Sequence, residues 1–132
     1  MRILVAEDDP VARLDLVDAL TDWGYEVTTA ADGGMAWDVL SRDDAPSLAI
    51  LDWQMPVVDG LEVCRRLRAL ERSPYVYLIV LTASSRAEDV VAALDAGADD
   101  FVQKPCEPRE LEVRLRAGRR IVELQERLHF QA

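Results

Sequence analysis

The chain is poor in the two residue types that most often bind metals or act as nucleophiles with a base. His129 is its one histidine, and Cys64 and Cys106 are its two cysteines. Structural zinc sites need four such ligands, and a Ser-His-Asp triad needs a histidine beside its serine and aspartate. Two cysteines also form no disulfide framework, and reduced thiols are typical of cytoplasmic proteins. The composition therefore excludes His–Cys metal sites and histidine-based hydrolysis, which leaves the carboxylates as candidates for chemistry.

Long apolar runs and a positive net charge are missing as well. The longest unbroken apolar run is Tyr75–Leu81, far shorter than the ~20 residues of a transmembrane helix. Met1-Arg2 leads directly into Ile3 without the pattern of a signal peptide. With 25 acidic and 15 basic residues the net charge is −10, which disfavours a surface that follows nucleic-acid phosphates. We therefore expect a cytoplasmic protein that binds neither a membrane nor nucleic acid directly.

Strand-like and helix-like segments alternate along the 132 residues, a length typical of one domain. This alternation indicates an α/β fold with a parallel sheet covered on both faces. The predicted strands are Ile3–Ala6, Glu26–Thr29, Leu48–Leu51, Leu78–Leu81 and Phe101–Val102. The predicted helices are Pro10–Trp23, Gly34–Leu40, Leu61–Leu70, Ala87–Ala96 and a last one from Pro108 to about Leu128.

Apolar spacing predicts the helix faces. In the first helix, Asp9 is a plausible N-cap, and one stripe contains Val11, Leu14, Val17 and Leu20. In the last helix, Gly118 costs ~1 kcal/mol relative to alanine without preventing the helix. One face of that helix contains Leu111, Leu115 and Val122, and a second stripe contains Ala117, Ile121, Leu124 and Leu128. The tryptophans Trp23 and Trp37 are predicted to lie in the core.

Polar side chains stand where the predicted strands end. Glu7 and Asp8 follow the first strand, Asp52 the third, Thr82 the fourth and Lys104 the fifth. The carboxyl ends of parallel strands share one edge of the sheet, where open α/β folds bind ligands. Clustered carboxylates repel one another, and Mg²⁺ with its oxygen ligands would relieve the repulsion. Asp52 is placed to accept a phosphoryl group, with Thr82 and Lys104 near enough to bind its oxygens.

Motifs in the same order resemble the receiver domain of two-component response regulators over about Arg2 to Gly118. They are Ile3-Leu4-Val5-Ala6-Glu7-Asp8-Asp9, Leu51-Asp52-Trp53-Gln54-Met55-Pro56-Val57-Val58-Asp59-Gly60, Leu81-Thr82-Ala83 and Lys104-Pro105. The resemblance implies a flavodoxin-like, doubly wound five-stranded sheet in the order 2-1-3-4-5, flanked by five helices. It divides the chain into a receiver domain, residues 1–120, and an extension of the last helix, residues 121–132, a possible linker to an output domain.

The resemblance also implies a role for each acidic residue. Asp52 would accept a phosphoryl group from a histidine kinase or a histidine phosphotransfer protein. Mg²⁺, or Mn²⁺ in its place, would be bound by Asp8 directly, by Glu7 through water, by Asp52 and by the backbone carbonyl of Gln54. The domain would signal rather than act as an enzyme, beyond its own phosphorylation and dephosphorylation.

The remaining signature residues would bind the phosphoryl group and switch. Lys104 would pair with the phosphoryl group, and its bond to Pro105 would be cis. Thr82 and Ala83 would contact the phosphoryl group, and the ring of Phe101 would swing inward as Thr82 moves. The changed surface would comprise helix 4, strand 5 and helix 5, and a homodimer could form there or through the C-terminal helix.

Other interpretations stay open at this point. Residues 116–125 resemble helices that join receivers to diguanylate cyclase-type output domains, so the chain could be a stand-alone receiver or part of a longer regulator. A haloacid-dehalogenase-like phosphatase also uses an aspartate nucleophile with Mg²⁺, but it normally has an acid two residues later, where this chain has Gln54. A receiver that binds partners without phosphorylation is the third alternative.

Overall fold

A computed structural model of the chain describes residues 1–71 and 74–131, with the backbone alone for residues 129–131. The strands are β1 (Arg2–Ala6), β2 (Glu26–Ala30), β3 (Leu48–Asp52), β4 (Tyr77–Thr82) and β5 (Asp100–Gln103). The helices are α1 (Pro10–Asp22), α2 (Gly33–Leu40), α3 (Gly60–Ala69), α4 (Ala87–Asp95) and α5 (Pro108–Gln131). The predicted bounds are close to these, and α5 continues past Leu128.

The strands form one parallel sheet in the order β2-β1-β3-β4-β5. This confirms the predicted α/β class and strand order. Every residue of β3 and β4 is buried, because helices cover both faces of the sheet and leave no solvent-facing side for alternating polar residues. The order reverses between β1 and β3, so these two strands lie where such sheets bind ligands.

Two apolar layers hold the helices to the sheet. Along β1, Leu4 faces one layer while Ile3 and Val5 face the other, since successive strand residues point to opposite faces. The first layer packs α2, α3 and α4 against the sheet. The second layer packs α1 and α5, with Trp23 at its margin, whereas Trp37 lies at the margin of the first. Both tryptophans are half-buried, so the core position predicted for them holds only in part.

The apolar stripe predicted for α1 faces the core only in part. Leu20 is buried, but Val11 is 69% and Leu14 59% exposed. Residues three apart drift by about 60° per step around a helix, so the stripe winds off the packed side. Leu16 contacts the second layer instead. The predicted N-cap at Asp9 is confirmed, because its side chain accepts from the backbone N–H of Ala12 at 3.3 Å.

The last helix has the buried face that its spacing predicts. Leu111, Leu115 and Val122 are at most 4% exposed. Gly118 faces the ring of Tyr77 so closely that a Cβ atom there would lie 2.6 Å from the ring. The second stripe is solvent-exposed at Ile121, Leu124 and Leu128. In the described part of the chain no helix has both the length and the hydropathy that crossing a bilayer requires.

The contacts of α5 do not test the predicted boundary between the receiver domain and its extension at residue 120. Val122 lies beyond it and is 1% exposed, in the same apolar layer as Leu115. The side chains of residues 129–131, and Ala132 altogether, lie outside the described residues. The extension of residues 121–132 therefore remains a prediction, and its first turn packs on the domain through Val122.

Candidate functional site

The carboxyl ends of the strands bring most of the predicted site residues together in one pocket. Of the others, Glu7 and Pro105 line a second cavity, and Phe101 packs against the first apolar layer. Asp52 and Thr82 are the last residues of β3 and β4, and Lys104 directly follows β5. The pocket has a volume of about 910 Å³. Its lining consists of Asp8, Asp52, Trp53, Gln54, Met55, Pro56, Asp59, Thr82, Ala83, Ser84 and Lys104.

Three carboxylates meet at this edge of the sheet. Glu7, Asp8 and Asp52 each have a carboxylate oxygen that lies within 4.8 Å of those of the other two. Glu7 is 2% and Asp52 is 7% exposed, whereas Asp8 is open to solvent. A donor set made only of carboxylate oxygens, with one side open to water, fits a hard divalent cation such as Mg²⁺. The cluster could therefore bind a metal ion.

Lys104 is the cation that offsets part of this negative charge. Its Nζ atom lies 3.0 Å from Glu7 Oε2 and 3.0 Å from Asp52 Oδ2. Burial lowers the pKa of the Lys104 ammonium, but the hydrogen bonds to Glu7 and Asp52 outweigh this, and the pKa is raised. Burial also raises the pKa of Glu7, against the opposing effect of its bond to Lys104. Lys104 is thus held protonated between two carboxylates.

Backbone contacts fix Lys104 and Glu7 in place. The Lys104 N–H donates to the Thr82 carbonyl at 2.7 Å, which joins the end of β5 to the end of β4. The Lys104–Pro105 peptide bond is cis, as the resemblance implies. The Asp9 N–H donates to Glu7 Oε1 at 3.2 Å, and Arg13 donates to the Glu7 carbonyl at 2.8 Å. Nothing in the sequence marks Arg13 as a site residue apart from its position in the first turns of α1.

The loop after Asp52 is held by the neighbouring elements. The Trp53 N–H donates to the Leu81 carbonyl at 2.8 Å, and the Gly60 N–H donates to the Trp53 carbonyl at 2.8 Å. A Cβ atom on Gly60 would lie 2.4 Å from the Asp52 carbonyl oxygen. The glycine therefore lets the start of α3 approach the strand end that carries Asp52. Gln54 lines the pocket, and the metal-binding role of its carbonyl stays a prediction.

Thr82 is linked to a residue that the sequence did not single out. Its Oγ1 atom accepts from the backbone N–H of Ser84 at 3.1 Å, and Thr82 is 7% exposed. Ala83, between them, is exposed in the pocket. Phe101 is half-buried against the first apolar layer and pairs across the sheet with Val80. The switch roles predicted for these residues stay predictions.

Comparison with known proteins identifies the family. The family model of the response regulator receiver domain matches residues 3–116. The chain belongs to this family. This receiver is 44% identical over 115 residues to the transcriptional regulatory protein AfsQ1 of Streptomyces coelicolor, covering 87% of this chain and 49% of that protein. It is 45% identical over 117 residues to the response regulator MprA of Mycobacterium avium, covering 89% and 50%.

A solved receiver has the same fold. The receiver domain of the sensor histidine kinase PA1611 from Pseudomonas aeruginosa PAO1 superimposes with a TM-score of 0.78 at 34% identity, covering 92% of this chain and 97% of that one. That receiver has a magnesium ion coordinated in its active-site cleft. This receiver spans about half the length of the curated relatives it matches. The predicted membership of the two-component receiver family is confirmed.

Proposed function

We propose that this receiver accepts a phosphoryl group on Asp52 from the phosphohistidine of a histidine kinase or a histidine phosphotransfer protein. One observation supports this most: Asp52 ends β3 in an open pocket, beside two further carboxylates and with the Lys104 ammonium 3.0 Å from Oδ2. A carboxylate so placed has one oxygen paired with a cation and a neighbouring space large enough for a phosphoryl group.

The transfer would exchange one bond to phosphorus for another. A carboxylate oxygen of Asp52 attacks the phosphorus atom and forms the O–P bond, while the P–N bond to the kinase imidazole breaks and the nitrogen keeps the electron pair. Lys104 would then bind a phosphoryl oxygen, as the Thr82 hydroxyl would do from the neighbouring strand end. Phosphoryl transfer depends mostly on such positioning and on neutralising charge.

A divalent cation fits the carboxylates at this edge of the sheet. Asp8, Asp52 and the Gln54 carbonyl would bind Mg²⁺ or Mn²⁺, and Glu7 would act through water. The bound cation supplies positive charge next to the phosphoryl oxygens. The oxygen-only donor set supports this assignment, and the magnesium ion in the cleft of the PA1611 receiver agrees with it.

Phosphorylation would alter the surface formed by α4, β5 and α5, and so signal to a partner or an attached output domain. An ion pair already joins two of these elements: Arg114 of α5 lies 3.0 Å from Asp100 of β5 and 3.1 Å from Glu110. The curated relatives are about twice as long and are named as regulators, which favours an attached output domain. A homodimer would use this surface or the exposed stripe of α5.

Phosphate incorporation tests the proposal. The chain is incubated with a small acyl phosphate and Mg²⁺, and bound phosphate is measured for the wild type, Asp52→Asn and Asp59→Asn. Asp59 lines the same pocket but caps α3 by accepting from Glu62 N–H at 2.9 Å, so its variant should still be labelled. Labelling of Asp52→Asn at the wild-type level contradicts the proposal. Continuous turnover of a phosphomonoester would favour the phosphatase alternative instead.

A further inference from the structure

The loop between β4 and α4 contains a chain of hydrogen bonds that leads out of the pocket. The Ser84 N–H donates to Thr82 Oγ1 at 3.1 Å, and the Arg86 N–H donates to Ser84 Oγ at 3.2 Å. The Ser84 hydroxyl also forms a hydrogen bond with the carboxylate of Asp89. Asp89 lies in the first turn of α4. The pocket threonine is therefore connected to α4 through a single serine.

Ser84 is held at two points, by its backbone N–H to Thr82 and by its hydroxyl to Asp89. Arg86 precedes α4 as its N-cap residue but makes no side-chain cap bond, so the Ser84–Asp89 pair anchors the start of the helix in its place. Short side-chain to backbone bonds of this kind order a loop locally. While Ser84 is held by Asp89, its N–H keeps the Thr82 hydroxyl oxygen on the loop side of the pocket.

We propose that Ser84 and Asp89 act together as a latch that positions Thr82 in the unphosphorylated receiver and sets how readily Thr82 responds to a group on Asp52. This rests on the proposed function, since it concerns the step in which Thr82 turns to a phosphoryl oxygen. Both are positioning residues: Asp89 does not line the pocket and acts through Ser84. Without the latch, Thr82 turns toward Asp52 more readily, so the binding-competent state is more populated. A protein whose competent state is more populated responds at a lower ligand concentration.

Asp89→Ala tests the latch. The probe is beryllofluoride with Mg²⁺, added to the whole chain and followed by the fluorescence of Trp53, which lines the pocket. The half-saturating concentration should fall roughly threefold to tenfold, the scale of one net hydrogen bond. Ser84→Ala should do the same, and the double variant should show no further fall, because residues of one unit are not additive. Asp89→Asn keeps an acceptor oxygen and should restore the wild-type value.

Glu88→Ala is the matched control for charge. It removes one carboxylate from the same turn, but Glu88 pairs only with the exposed Arg86 among the interactions described. Its half-saturating concentration should stay at the wild-type value. In the free chain, amide hydrogen exchange at Ser84 should be faster in Asp89→Ala than in Glu88→Ala, which gives a readout independent of the probe.

The outcomes separate the two proposals. If the wild type responds to beryllofluoride, and Asp89→Ala leaves the half-saturating concentration unchanged or raises it, the latch is wrong and the phosphoacceptor role stands. An equal fall of the half-saturating concentration in Glu88→Ala would also overturn the latch, since the loss of one negative charge would then explain both results. If beryllofluoride leaves the fluorescence of the wild type unchanged, or changes it equally in Asp52→Asn, the proposed function fails and the latch fails with it.

Discussion

Replacing Asp8 by asparagine should stabilise the metal-free fold although it removes a proposed metal ligand. Asp8 has carboxylate oxygens within 4.8 Å of those of Glu7 and Asp52. Lys104 bonds to the other two acids, at 3.0 Å each, so it offsets their charge more directly than that of Asp8. Neutralising Asp8 therefore removes repulsion without breaking either of these ion pairs.

The size of the effect follows from Coulomb's law. Two unit charges 4.8 Å apart repel by ~3.5 kcal/mol at an effective dielectric constant of ~20 and by ~0.9 kcal/mol in water. Asp8 is exposed, so the lower figure applies to each of its two acidic neighbours. After the attraction of Lys104 is subtracted, we expect Asp8→Asn to raise the free energy of unfolding by ~1 kcal/mol. That corresponds to about 4 °C in Tm for a domain of this size.

Urea unfolding followed by circular dichroism measures this change. In EDTA at low salt Asp8→Asn should be the more stable protein, and the gain should shrink in ~1 M salt, where the screening length falls to ~3 Å. Added Mg²⁺ should stabilise the wild type and leave Asp8→Asn nearly unchanged, since a ligand stabilises only the fold that binds it. Asp18→Asn, an exposed change on α1 outside the pocket, serves as control. A less stable Asp8→Asn, or an equal Mg²⁺ response in both proteins, would refute the reasoning.

Further expectations concern the rest of the fold. Gly118→Ala should destabilise the chain by ~1–3 kcal/mol despite the better helix propensity of alanine, because its Cβ atom would meet the Tyr77 ring at 2.6 Å; in a Tyr77→Ala background the urea midpoint should fall much less. Burial raises the pKa of Cys64 to about 12, so peptide mapping at pH ~8 should find this thiol unmodified by Ellman's reagent in the folded chain and modified in urea. Burial, with the hydrogen bond to Asp99, raises the pKa of Tyr75 above its ordinary value of 10.0. The stability that this phenol contributes is complete below that pH and lost as pH rises above it; Tyr75→Phe should therefore lose less stability than the wild type from pH ~9 to ~11, and parallel curves would contradict this.

The position of the site was predictable because it follows from topology. Residues that end parallel strands meet at one edge, so Asp52, Thr82 and Lys104 could be placed together before any distance was known. The buried face of α5 was predictable for a similar reason, because spacings of four and seven keep side chains such as Leu111 and Leu115 on one side of a helix.

What the sequence could not supply depends on loop conformation and on partners distant in the chain. The bonds from Ser84 to Thr82 and Asp89 need a specific turn, which no spacing rule predicts. Val11 and Leu14 share the apolar stripe of α1 yet are exposed, because a run of three-residue spacings does not fix which side of a helix is buried.

A network at the opposite end of the sheet was missed for the same reason. In the sequence, Arg68 resembles any charged residue on the surface of a helix. In the fold it donates to the carbonyls of Val76 and Gly97 and pairs with Asp99 at 2.8 Å. Its partners come from two separate segments, the one before β4 and the one before β5, and only the folded arrangement brings them together.

The most direct measurement of the central claim is the site of phosphorylation. The chain is incubated with a small acyl phosphate and Mg²⁺, its intact mass is recorded, and borohydride reduction followed by peptide sequencing locates the acyl phosphate. We expect the mass of a single added phosphoryl group, located at Asp52 and lost when Mg²⁺ is chelated beforehand. A chain that gains no phosphoryl group, or gains it on another residue, would contradict the account.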